Sequence, residues 1–179
     1  MIGEGTHSTN QRSHTYLRDH VEVGFFTDPT VCIGCKACEV AWRPNDVQFV
    51  ADIPPSRGPL SGIAASLVKI HTSHLLALAI DMPFMTENYL HSICDAIEPG
   101  RGIIAKIDNR AEPLAAAYPR EAEIDFRTAL AGTDLSLQNV VRRLVVSGKL
   151  LEISATEHER GLFRNVNNVS DADAAIASG

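Results

Sequence analysis

Residues 74–90 read HLLALAIDMPFMTENYL, and this stretch decides the fold. Its first seven residues are almost all apolar, as expected of a central parallel strand that is covered by helices on both faces. Asp81 follows that strand directly. Thr86 can then cap a helix that runs to about residue 97, with Ile93 and Ile97 on one face. The stretch therefore predicts a buried strand, a polar strand end and a helix, in that order.

Segments with a strand pattern and segments with a helix pattern alternate on both sides of this stretch. Such alternation indicates βαβ units and a mainly parallel sheet. Further strands are predicted at residues 47–51, 102–107, 113–118 and 150–154, and helices at residues 59–70, 120–131, 136–147 and after Ser170. We expect an α/β fold with a three-layer, Rossmann-like, mainly parallel sheet that is N-terminally truncated and preceded by a short Cys-rich segment.

The first 46 residues differ in composition from the rest of the chain. Residues 1–22 are polar, and we expect a disordered tail because they bury too little apolar surface to offset the entropy of ordering. Residues 23–46 are rich in Gly, Cys and Pro. Residues 47–179 then form the predicted α/β domain.

Composition limits the classes of partner. The chain has 179 residues, 45% of them hydrophobic and 21% charged, which is typical of one globular domain. Its net charge of -6 argues against binding a nucleic-acid backbone. No apolar run approaches the roughly 20 residues that cross a bilayer, and no signal peptide is recognisable. We expect no nucleic-acid partner, no membrane partner and a cytoplasmic location.

Three of the four cysteines are crowded together. Cys32, Cys35 and Cys38 have C-x2-C-x2-C spacing, which suits metal ligation by thiolates, whereas Cys94 lies alone on a predicted helix as a buried, inert residue. Residues 24–42, GFFTDPTVCIGCKACEVAW, resemble the opening of a ferredoxin-type iron-sulfur subunit, although Trp42 stands where a fourth cysteine is expected. The three thiolates are candidates for holding an iron-sulfur cluster or Zn²⁺.

Polar residues follow the predicted strands where ligands bind in open parallel sheets. Asp52 and Asp81 each follow a strand, and the carboxylate of Asp81, at the tip of a buried strand, suits Mg²⁺. Gly58 permits close approach of the backbone, and the helix that begins at Pro59 aims N–H groups at an anion. Each residue has a structural alternative, since strand-end aspartates also cap loops and glycines also permit tight helix packing.

Four motifs together resemble a known family. GPLSGIAASL, LLALAIDMPFMTENYL, EPLAAAYP and LFRNVNNVSDADA are similar, in order and spacing, to the molybdenum cofactor guanylyltransferases and cytidylyltransferases of the MobA-like nucleotidyltransferases, over about residues 47–174. The resemblance implies that Asp81 is the catalytic, Mg²⁺-binding aspartate. It also implies a nucleotide and cofactor site lined by Asp52, Gly58, Pro59, Leu60, Gly62, Asn165 and Asn167.

The implied activity is the transfer of GMP or CMP to molybdopterin, with Mg²⁺ as cofactor. GTP or CTP and molybdopterin are then the ligands, and a molybdoenzyme or its chaperone is a candidate protein partner. The family's Leu-Ala-Gly-Gly loop, which holds the triphosphate, has no counterpart in the sequence. Two alternatives therefore stay open: an iron-sulfur electron-transfer protein, and an inactive fusion remnant.

Overall fold

The computed structural model describes residues 21–26, 50, 57–79 and 81–165. The five strands of one sheet are β1 (Val21–Phe26), β2 (His74–Ala79), β3 (Gly102–Ile107), β4 (Arg110–Pro119) and β5 (Leu150–Ser154). The helices are α1 (Pro59–Lys69), α2 (Glu87–Asp95), α3 (Glu123–Ala131) and α4 (Leu137–Val146), with 3-10 turns at Arg120–Ala122 and Arg160–Phe163. The strand order in the sheet is β1-β2-β4-β3-β5.

Four of the five strands run in one direction. β1 pairs with β2 in parallel and β3 pairs with β5 in parallel, whereas β4 is antiparallel to both β2 and β3. This mixed sheet confirms the predicted α/β class. β4 reverses because the two-residue turn Asp108–Asn109 joins it to β3, with φ of 46° and 68°. Asp and Asn are the residues other than glycine that best tolerate this left-handed region.

Helices cover both faces of the sheet, which confirms the three layers. The first face packs against α1, α3 and α4 through a core that includes Leu67, Phe126 and Leu144. The second face packs against α2 and the turn Arg160–Phe163 through Tyr89 and Phe163, whose rings meet edge to face at 5.3 Å. The sheet is therefore a buried central layer, with its strand ends left to form a site.

Most predicted elements are found, with shifted ends. The strand predicted from residue 113 begins at Arg110, and the helix predicted from residue 120 opens as a 3-10 turn before α3. β1 crosses the boundary at residue 22 that separated a predicted tail from the Cys-rich segment. The strand at residues 47–51 is outside the described residues except for Val50, which has no regular structure, and the helix after Ser170 is outside them entirely.

No helix within the described ranges is both long enough and apolar enough to cross a membrane.

Candidate functional site

Asp81 lies at the carboxyl end of β2, two positions after its last residue. Its side chain is half-buried, whereas Met82 next to it is buried in the core of the second face. The Met85 N–H donates to the Met82 carbonyl at 3.2 Å, and Thr86 Oγ1 accepts the N–H of Tyr89 at 3.3 Å as the cap of α2. The loop is thus fixed at both ends, with its carboxylate between a buried strand and a capped helix.

The start of α1 is shaped by Gly58. This residue has φ +64° and ψ −150°, and a Cβ placed on it would meet no atom of the described residues within 4 Å. Backbone conformation rather than lack of space therefore favours glycine here. Pro59 has no N–H, and the N–H of Ser61 donates to the Gly58 carbonyl at 3.0 Å. Among the described residues, the Leu60 N–H has no acceptor, so one donor of this first turn is left where the sequence-based interpretation expected several.

The start of α1 and Asp81 lie at the same end of the sheet. Four residues join the end of α1 to the start of β2, and α1 packs against β1 and β2. An 11-residue helix spans about 16 Å and a six-residue strand about 20 Å, so α1 returns along nearly the whole length of β2. The structure thereby brings Gly58 and Asp81, predicted from separate motifs, to one edge.

Arg164 and Asn165 also reach this edge. The guanidinium of Arg164 lies over the ring of Phe84, 5.4 Å from its centroid, and Phe84 belongs to the loop that follows Asp81. Such a cation–π contact contributes about 0.5–1 kcal/mol at an exposed site. It holds Arg164 and the adjacent, exposed Asn165 against the Asp81 loop. Sequence patterns did not single out Arg164 or Phe84, although Arg164 directly precedes the asparagine motif.

Glu112 is a second carboxylate near the carboxyl edge. Because β4 is antiparallel, its first residue, Arg110, pairs with Ile107 at the end of β3. Glu112 is half-buried; burial raises the pKa of its carboxyl, and the nearby Arg110 partly opposes that rise. The adjacent Pro113 carbonyl accepts the buried Tyr118 hydroxyl at 2.8 Å, which fixes this part of β4.

The charges of the edge are mostly paired. Arg160 Nη1 lies 2.8 Å from Asp108 Oδ1 and its Nε lies 3.0 Å from Glu157, while Lys106 Nζ lies 2.8 Å from Glu152. Arg164 makes no ion pair with any residue that the structure describes. It is therefore a cation on the Asp81 loop, through its contact with Phe84, and it has no carboxylate partner among the described residues.

The structure places some predicted site residues and leaves others untested. Pro59 and Gly62 are half-buried in the first turns of α1, and Leu60 is buried in the core of the first face, where it anchors the helix. Cys94 is buried on α2, as predicted. Asp52, Asn167, Cys32, Cys35 and Cys38 lie outside the described residues.

Asp81 would hold a metal with few other protein ligands. Across the described ranges, no group of three or more His, Cys, Asp or Glu side chains could hold a metal ion. Mg²⁺ commonly takes one or two carboxylates and completes its shell with water and substrate phosphates. A half-buried single carboxylate at a strand end fits that ion better than it fits zinc, which needs a fuller set of protein ligands.

Comparisons with known proteins agree with this geometry. The family model described as the MobA-like NTP transferase domain matches residues 15–152. A probable molybdenum cofactor guanylyltransferase of Opitutus terrae is 30% identical over 149 residues, which cover 82% of this chain and 73% of that protein. Another, of Clostridium perfringens, is 36% identical over 82 residues, 46% of this chain and 41% of that protein.

A solved structure shares the fold. The molybdopterin-guanine dinucleotide biosynthesis protein A of Archaeoglobus fulgidus aligns with a TM-score of 0.61 and 23% identity, over 87% of this chain and 78% of that chain. The family match includes residues 23–46. The division of these residues into a separate Cys-rich segment, and the ferredoxin-like character of that segment, stay predictions. The sheet, the edge that carries Asp81 and the family match lead to one conclusion: the chain belongs to the MobA-like NTP transferase domain family.

Proposed function

We propose that this chain is a nucleotidyltransferase that transfers GMP or CMP from a nucleoside triphosphate to molybdopterin, with release of pyrophosphate. The observation that carries the proposal is the position of Asp81, half-buried at the carboxyl end of β2 and at the same edge as the glycine-led start of α1. In an open α/β sheet this edge is where ligands bind.

Asp81 would hold Mg²⁺ in this proposal, and the bound ion would supply charge stabilisation for the phosphates of the nucleotide. The loop that carries Asp81 is fixed by Met82 in the core and by the Thr86 cap, so the carboxylate is held in place before substrate binds. Positioning and electrostatic stabilisation are the main contributions that a protein makes to phosphoryl-type transfer.

Gly58 and Arg164 contribute to binding the anionic ligands. No described atom lies within 4 Å of the Cβ position of Gly58, which lets a phosphate approach the backbone there, and the Leu60 N–H has no acceptor among the described residues. Arg164 adds a full positive charge near the Asp81 loop, because its guanidinium is stacked on Phe84 rather than paired with a carboxylate of the described residues. Asp52, Asn165 and Asn167 complete the proposed site.

Calorimetry with GTP and with CTP, each with and without Mg²⁺, tests this function. We expect Asp81→Asn to weaken Mg²⁺-dependent nucleotide binding at least about tenfold, since it removes the charge and keeps the shape. Glu121→Gln is the matched control: Glu121 is exposed near the opposite edge, where the neighbouring Arg120 N–H donates to the Ser73 carbonyl. Its binding should equal that of the wild type.

Two results would count against the proposal. Nucleotide binding that persists unchanged in the Asp81→Asn protein would remove Asp81 from the metal site. Failure to bind either nucleotide, together with no pyrophosphate release in the presence of molybdopterin, would argue against transferase activity. In that case iron and zinc analysis of Cys32, Cys35 and Cys38 would decide whether they ligate a metal.

A further inference from the structure

β5 forms one end of the sheet, so one side of its backbone has no neighbouring strand among those described. The Gly102 N–H donates to the Lys149 carbonyl at 2.9 Å, and the Ala155 N–H donates to the Lys106 carbonyl at 2.9 Å. In a parallel ladder alternate residues direct both backbone groups to the same side. The residues whose N–H and C=O point to the open side are therefore Leu150, Glu152 and Ser154.

The side chains of β5 do not protect this open edge. Edge strands in soluble proteins are often protected from pairing by charged side chains, proline or a bulge. Leu150–Ser154 has no proline and no bulge, and its one charged residue is Glu152. Leu151 and Ile153 are 45% and 39% exposed. The β3–β5 register places them beside Ile103 and Ala105, on the second face of the sheet.

The charge of β5 is already neutralised within the subunit. Glu152 has the opposite strand parity to Leu151 and Ile153, so its side chain lies on the first face. Its carboxylate is 2.8 Å from Lys106 Nζ on the neighbouring strand, and both side chains are about one-third exposed or less. Two copies of this edge can therefore approach each other without bringing together unpaired carboxylates.

We propose that the β5 edge binds the β5 edge of a second copy of this chain, antiparallel, with the two-fold axis at Glu152. In this register Glu152 faces the partner's Glu152, and Leu150 faces the partner's Ser154. Each such pair of outward-facing residues exchanges two backbone hydrogen bonds in an antiparallel ladder. In this register every outward N–H and C=O of both strands is hydrogen-bonded. Sliding one strand along the other in either direction would leave some of these groups without a partner.

The exposed apolar side chains pair in the same register. Leu151 lies opposite the partner's Ile153, and Ile153 opposite the partner's Leu151, at sites where Cα atoms approach to about 4.5 Å. The edge is thus complementary to itself, as a two-fold interface requires. Because five residues per strand bury little area, the dimer is weak and depends on protein concentration.

Sedimentation equilibrium over a range of concentrations tests this interface with paired charge variants. Leu151→Glu with Ile153→Glu places like charges opposite each other in both cross-strand pairs, and we expect the dimer dissociation constant to rise about tenfold or more. Leu151→Lys with Ile153→Glu places opposite charges across the axis and should dimerise more tightly than the double-glutamate protein. Circular dichroism establishes that both variants are folded.

A crosslink tests the register itself. In the proposed dimer the two Glu152 Cα atoms are about 5.5 Å apart, which a disulfide can bridge, so Glu152→Cys should form an intermolecular disulfide on mild oxidation. Ser154→Cys is the control, because the axis places its symmetry mate four residues away along the strand. Peptide mass mapping separates these products from disulfides of the native cysteines. A monomeric wild type, equal dimerisation of the two charge variants, or equal crosslinking of the two cysteine variants would overturn the proposal.

Discussion

Replacing Tyr118 by phenylalanine removes one buried hydrogen bond and leaves the packing in place. Tyr118 is 0% exposed, its hydroxyl donates to the Pro113 carbonyl at 2.8 Å, and its ring meets Phe126 edge to face at 5.2 Å. Phenylalanine keeps that ring contact. The loss combines one neutral hydrogen bond with a buried carbonyl that has lost a donor, so we expect unfolding free energy to fall by about 1–2 kcal/mol.

Thermal and urea unfolding measure this loss. For a chain of this size, 1 kcal/mol corresponds to about 2–4 °C in Tm, so Tyr118→Phe should lower Tm by about 2–8 °C. Tyr89→Phe is the matched control, because Tyr89 is also buried but its hydroxyl bonds to no described residue. It should change the free energy by less than about 0.5 kcal/mol. Equal losses in the two variants would refute a stabilising role for the Tyr118–Pro113 bond.

Two further predictions concern the sheet and its carboxyl edge. Gly102→Ala should destabilise the fold by about 3 kcal/mol or more, because the new Cβ would overlap the Ala117 carbonyl oxygen. Gly161→Ala should be near neutral in the same unfolding assay, because no described atom lies within 4 Å of its new Cβ. Glu112→Gln should raise Tm at pH 7 and leave it unchanged below about pH 4. Burial raises the pKa of Glu112 in the folded state. Its stabilising effect, relative to high pH, is therefore fully present below the unfolded-state pKa and is lost as pH rises through the folded-state pKa, where the buried carboxyl must ionise. Glutamine does not ionise, so the variant avoids this loss of stability at pH 7. A difference in Tm that stays constant across this pH range would contradict that reasoning.

Local sequence signals predicted the elements whose cause is local. The apolar run before Asp81 forms β2, and every residue from His74 to Ala79 is buried, as that run predicted. Thr86 caps α2 through its own side chain. The reversal of β4 was missed because the turn Asp108–Asn109 was not recognised as a hairpin turn. Without it, a short strand at residues 113–118 gives no sign of its direction.

The site was predictable in part for the same reason. Asp81 follows from a strand-end pattern and Gly58 from a helix-start pattern, and each pattern consists of residues within a few positions of the residue that it predicts. The contact of Arg164 with Phe84 joins residues that are far apart in sequence, so no local pattern indicates it. The raised pKa of Glu112 likewise depends on burial that only the folded sheet provides.

The pairing of β1 with β2 has a consequence for how the chain folds. Val21 lies beside His74, about fifty residues later, whereas β3 and β4 meet across a two-residue turn. Closing the longer loop costs more chain entropy before any contact offsets it, so the β3–β4 hairpin can form early and β1 docks late. Among the described strands β1 lies at one end of the sheet and pairs with β2 alone, so the described pairings allow it to detach while β2, β4 and β3 stay paired.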